Sequence, residues 1–159
     1  MNVIDHMGFQ VSDYERALSF YEKALAPLGI SVVMRVTPEQ TGGYAGAGFG
    51  SKGKPTFWLE KGARTAPKLH IAFVAENRAA VDAFYKAALA AGGKDNGAPG
   101  LRPHYHPNYY GAFALDLDGN NIEVVCHRGA MAKKAKTRKP AAKKAKPKGG
   151  KSKKKARGR

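Results

Sequence analysis

Apolar and polar positions along the first 128 residues follow two alternating periods, and the same pair of periods occurs twice. Residues 2–11 alternate with a period of two, which puts Ile4, His6 and Gly8 on one face and Val3, Met7 and Phe9 on the other, as in a half-buried strand. From Ser12 the spacing becomes helical, with apolar residues at Ala17, Leu18, Phe20, Tyr21, Ala24 and Leu25. Ser12-Asp13-Tyr14-Glu15 has the form of a capping box, in which the hydroxyl and the carboxylate satisfy free amides of a first turn; Pro27 and Gly29 then stop the helix. Three short strands are predicted next, at 30–36, 43–49 and 56–60, separated by Gly, Pro and Lys. The first unit reads βαβββ.

Sixty-four residues on, the order returns. His70 falls on His6, Phe73 on Phe9, Phe84 on Phe20, Tyr85 on Tyr21, Ala88 on Ala24, Leu89 on Leu25 and Gly93 on Gly29; Phe113 meets Phe49, so the repeat is expected to run without an insertion. A strand is predicted at 68–75, a helix at 77–91 capped by Asn77 and stopped at Gly92-Gly93, and strands near 101–105, 110–115 and 121–127, with Asp118-Gly119-Asn120 as a tight turn. Two βαβββ modules, about 2–62 and 67–128, make an α+β domain. Neither four-stranded unit covers its own concave face, so the two are expected to pair as an open, cleft-enclosing, barrel-like sheet with the ligand between them.

Composition changes this picture mainly at the C-terminus. Residues 1–128 hold 13 Lys and Arg against all 12 acidic residues, whereas 129–159 hold 15 Lys and Arg and no acid. The second segment is Lys, Ala, Pro and Gly, with no large apolar residue after Met131, and cannot bury enough surface to offset its chain entropy. The domain boundary is placed near Arg128, and the rest reads as a disordered basic tail. Its lysines and arginines, among them Lys133, Lys134, Lys136, Arg138, Lys143, Lys144, Lys153, Lys154 and Lys155, are candidates for non-specific contacts to nucleic acid. This segment resembles the tails of linker histones and histone-like bacterial proteins. One cysteine, Cys126, leaves no internal disulfide, and no apolar run is long enough for a membrane span. A cytoplasmic protein without a membrane partner is expected, associated with the nucleoid if the tail binds DNA.

The openings Ile4-Asp-His-Met-Gly-Phe9 and Leu69-His-Ile-Ala-Phe73, and the ending Asp118-Gly-Asn-Asn-Ile-Glu-Val-Val125, give residues 2–127 a family likeness. The domain resembles the vicinal oxygen chelate superfamily, which includes glyoxalase I, bleomycin-resistance proteins and extradiol dioxygenases. The resemblance implies a metal held by His6, His70 and Glu123, and association in pairs. Two imidazoles and a carboxylate suit a divalent Fe, Mn, Ni or Zn ion and leave positions open for substrate oxygens. The resemblance also brings out a departure. Glyoxalase has a fourth ligand, a glutamate on the last strand of the first unit, and the residue 64 before Glu123 is Leu59; Glu60, one step along, is expected on the opposite face. Three protein ligands result.

Further site candidates gather in Leu101–Tyr110, where Arg102, His104, Tyr105, His106, Tyr109 and Tyr110 crowd one segment. In an extended conformation His104 and His106 share a face and suit acid–base work, while Arg102, the tyrosines and Trp58 suit substrate contacts. The leading expectation is a metal-dependent lyase, isomerase or dioxygenase acting on a small oxygenated substrate. The alternative is a non-catalytic binding protein on the same fold, as in antibiotic resistance.

Overall fold

The computed structural model describes residues 4–129, which form an α+β fold. Unit one runs β1 (Met7–Val11), α1 (Tyr14–Leu25), a 3-10 turn (Ala26–Leu28), β2 (Ser31–Val36), the one-turn helix α2 (Pro38–Thr41), β3 (Gly46–Ser51) and β4 (Lys54–Lys61). Unit two runs β5 (His70–Val74), α3 (Arg78–Ala90), β6 (Lys94–Leu101), β7 (Tyr110–Leu115) and β8 (Asn121–Cys126). Each unit makes its own four-stranded sheet, ordered β1-β4-β3-β2 and β5-β8-β7-β6, with the first strand parallel to the last.

Strand alternation decides what each sheet buries. Ala47, Phe49, Phe57 and Leu59 point to one face of the first sheet, and α1 covers them with Phe20, Tyr21, Ala24 and Leu25. In the second sheet Ala112, Ala114, Ile122, Val124 and Cys126 meet Val81, Phe84 and Ala88 of α3. The helices then pack on one another, Phe57 meets Phe73 edge-on with ring centres 5.3 Å apart, and one continuous core results. Each buried aromatic contributes about 1.5–3 kcal/mol by area alone. The units are joined by their helix-covered faces, and no closed barrel forms. The cavity on the first sheet is lined by unit-one residues alone.

Four local expectations are corrected. The repeat gains one residue in unit two, because Gly8 pairs with Trp58 where Ala72 pairs with Glu123, and Gly48 pairs with Trp58 where Phe113 pairs with Glu123. Phe49 and Phe113 are therefore not equivalent: the first is core and the second lies on the helix-free face. The cap of α1 is Asp13, whose Oδ1 accepts from Arg16 N at 3.2 Å, while Ser12 N donates to Asp118 Oδ2 at 2.9 Å and ties the unit-two loop to the start of α1. The strand expected near 101–105 lies at Lys94–Leu101, a Gly- and Pro-containing run without alternation, which a sheet tolerates because β6 is an edge. Finally, α2 went unpredicted, although Thr37 and Gln40 close a capping box around it.

Candidate functional site

The second sheet places His70 and Glu123 together. They sit on neighbouring parallel strands two register steps apart, and His70 Nε2 lies 2.9 Å from Glu123 Oε2. The other oxygen, Oε1, accepts from the Tyr109 hydroxyl at 2.5 Å. Glu123 is 2% exposed although it stands on the helix-free face. Gly111 makes this arrangement possible, since a Cβ there would come 3.2 Å from the Tyr109 ring and 3.3 Å from Glu123 Oε1. Burial, reinforced by the carboxylate, pushes the Tyr109 phenol up to about 12, so it stays a hydrogen-bond donor at neutral pH. Two donors each about 2.1 Å from an ion and at right angles are about 3 Å apart. The His70–Glu123 pair fits two adjacent positions on a divalent ion, and Tyr109 is the hydrogen-bonded support a ligating carboxylate requires.

His6 is not brought to this pair. Among the described residues no three His, Cys, Asp or Glu side chains stand close enough to share an ion. His6 projects from the helix-free face of the first unit, where its Nδ1 lies 3.0 Å from Asp5 Oδ2, and Lys54 pairs with the same carboxylate. The His6 and Lys54 contacts hold Asp5 below the usual carboxylate range. The fourth-ligand argument changes its residue. Leu59 is fully buried against α1; the residue in register with Glu123 is Trp58, and Glu60, two positions along, shares its face. The expectation that Glu60 points away from the cleft is overturned, because it was read from a repeat offset that slips by one before β3. A carboxylate is still missing at that register position, which an indole occupies instead.

The segment 102–109 is a compact double turn and not an extended strand, closed by Arg102 N to Tyr109 O at 2.7 Å and Tyr109 N to His106 O at 2.9 Å. His104 and His106 consequently do not share a strand face. His104 packs on Tyr105 and His106 faces His127, which also meets Tyr109 edge-on at 5.1 Å. His127 therefore supports the Tyr109 ring. Arg102 lies over Phe113 and donates to Ala98 O. Tyr110 faces the other way, donating to Asp82 of α3 at 2.7 Å under the Arg78 guanidinium, so it belongs to the helix side. The tail residues from Lys133 to Lys155 lie outside the described residues. Among the described residues no helix is long and apolar enough to cross a membrane.

Two βαβββ units, each with a helix on one face of its sheet and a helix-free face on the other, define a class of proteins built from a repeated module. The family model of the Glyoxalase/Bleomycin resistance protein/Dioxygenase superfamily matches residues 3–124, and the chain belongs to that superfamily. A glyoxalase/bleomycin resistance protein from Albidiferax ferrireducens is 27% identical, with 79% of this chain and 98% of that one covered and a TM-score of 0.60. A glyoxalase I mutant from Zea mays is 25% identical at a TM-score of 0.57, with 77% of this chain matching 46% of that one. The fosfomycin resistance protein FosX from Listeria monocytogenes, solved with Mn(II) and sulfate, shares the fold at 15% identity, 79% and 93% coverage and a TM-score of 0.57. No curated protein sequence matches significantly.

Proposed function

We propose that the protein is a metal-dependent enzyme of the vicinal oxygen chelate type acting on a small oxygenated substrate, with His70 and Glu123 as two ligands and His6 from a second copy of the chain as the third. The observation that carries this reading is the 2.9 Å approach of His70 Nε2 to Glu123 Oε2, with Tyr109 locking the remaining oxygen. A divalent Fe, Mn, Ni or Zn ion would supply a Lewis acid for adjacent substrate oxygens. The protein's own residues do the rest: Arg102 contacts the substrate body together with Trp58 of the copy that supplies His6, Tyr105 borders the site at its mouth, and His104 and His106 on the same turn exchange protons with solvent-side groups. Metal content is the test. Protein purified without chelator carries about one ion per chain, and His70→Ala or Glu123→Ala lowers occupancy severely while circular dichroism stays unchanged. Protein that holds no stoichiometric ion, and takes up none of Fe, Mn, Ni, Zn or Co, is instead a binding protein on the same fold.

The basic tail is proposed to hold the enzyme on nucleic acid. Fifteen positive charges without an acid or an aromatic residue suit phosphate neutralisation and not base readout. The full chain binds random duplex DNA with an affinity that falls steeply between about 50 and 200 mM salt, and residues 1–128 do not bind. Salt-independent binding, or binding by the truncated chain, contradicts this role.

A further inference from the structure

On the helix-free face of the first sheet Gly8 and Gly48 leave room for one large side chain, and the half-buried indole of Trp58 lies across them beside Pro55. The fit is close: a Cβ on Gly48 would stand 2.9 Å from Trp58 Cζ2, and one on Gly8 would stand 3.1 Å from Trp58 Cβ. Beside the ring is a cavity of about 500 Å³ that Tyr44 and Met34 border, both exposed. A flat aromatic floor of this kind favours a flat aromatic occupant.

The charges around the ring select further. Lys54 and Asp5 are paired with each other at the rim. Glu60 is different. It stands on the Trp58 face, half-buried, with its carboxylate folded back towards Gly8, 3.6 Å from where a Cβ would sit. Among the described residues no hydrogen bond or ion pair engages it. Trp58 and Glu60 stand on one face two residues apart, and a carboxylate and a ring quadrupole attract the same charge, so a cation arriving there is favoured by both.

We propose that the Trp58 cavity recognises a planar aromatic ligand bearing a positive charge, the ring stacked on Trp58 and the cation held by Glu60. This deepens the proposed function by naming a ligand class, and rests on that reading only in taking the cavity as the substrate cleft. It requires no metal, so its failure and that of the metal assignment are read separately.

Trp58 is the only tryptophan in the chain, so its emission reports on the cavity alone. The full-length protein, stripped with EDTA, is titrated at pH 8 and about 150 mM salt with 1-naphthylmethylammonium, the neutral 1-naphthylmethanol and the anionic 1-naphthoate. Binding is followed by calorimetry and by Trp58 fluorescence. The cation binds about tenfold tighter than the alcohol and the anion more weakly still, each shifting Trp58 emission. Glu60→Gln abolishes the preference for the cation while leaving the alcohol unchanged, and Trp58→Leu weakens all three by about tenfold. Equal affinities for the three probes, calorimetric binding that leaves Trp58 emission unmoved, or a charge preference that survives Glu60→Gln overturns the proposal. Since Glu60→Gln conserves shape on a face outside the core, retained circular dichroism and alcohol binding distinguish lost recognition from lost folding.

Discussion

Glu123 shows how much a single carboxylate depends on its neighbours. Buried to 2% exposure, it would be costly without donors, and Tyr109 and His70 each take one oxygen. If an ion replaces the His70 contact, the Tyr109 bond keeps Oε1 occupied and leaves Oε2 as a one-atom ligand. Tyr109→Phe removes that restraint while keeping the ring against His127 and Gly111. The variant is expected to bind Co(II) about 10- to 100-fold more weakly, and to show an altered visible spectrum as the carboxylate turns both oxygens to the ion. Identical Co(II) affinity and spectrum in the wild type and in Tyr109→Phe would remove Tyr109 from this role. The tyrosine was legible in the sequence as one of a crowd, but its partner was not. Nothing in the spacing of 109 and 123 says that a glycine at 111 clears the path between them.

At the scale of elements, the loop before β8 couples the units. Asp116 accepts from Tyr21 Oη at 2.7 Å, from the Asn120 side chain at 2.8 Å and from the backbone amides of Asp118 and Asn120, while Asp118 binds Ser12. Burial, with Asp116 next in effect, raises the Tyr21 phenol well above its ordinary value. Because the folded value is raised, the neutral phenol's contribution is complete below the unfolded value of about 10 and is lost as pH rises towards the folded one. Tyr21→Phe should cost about 1–3 kcal/mol at pH 7, measured by urea unfolding, and that gap should narrow above pH 10. A gap that is constant with pH would refute the linkage. Most elements themselves were readable: α1, α3 and β7 bury mainly one face and so carry its period, while β8, an interior strand buried on both faces, shows as a short apolar run after a turn. The exception, β6, is an edge strand whose residues bury little, and without burial there is no period to read.

In the whole molecule the helices, and not the sheets' helix-free faces, join the units. A site shared between copies predicts complementation. His6→Ala and Glu123→Ala proteins, each defective alone, are mixed, unfolded and refolded together. Hybrid pairs then carry one complete site, formed by His6 of one copy with His70 and Glu123 of the other, and regain tight metal binding at up to one ion per hybrid pair. A mixture that binds no better than either parent shows that His6 is not shared between copies.

The repeat and the two long helices were determined by the order of residues alone, since strand parity and helical spacing are local properties that burial imprints on a chain; His70 and Glu123 were singled out by the family resemblance, and their 2.9 Å approach is a tertiary fact. Register and assembly were not determined by residue order. One added residue in unit two moved the counterpart of Glu123 from Leu59 to Trp58 and turned Glu60 onto the cavity face, a change that a shift of one in a period of two makes complete. Which faces of the two sheets meet was likewise decided by packing. Phe57, Phe73, Phe20 and Gly93 fit together on the helix side, and that contact, summed over distant residues, has no signature in any one stretch of sequence.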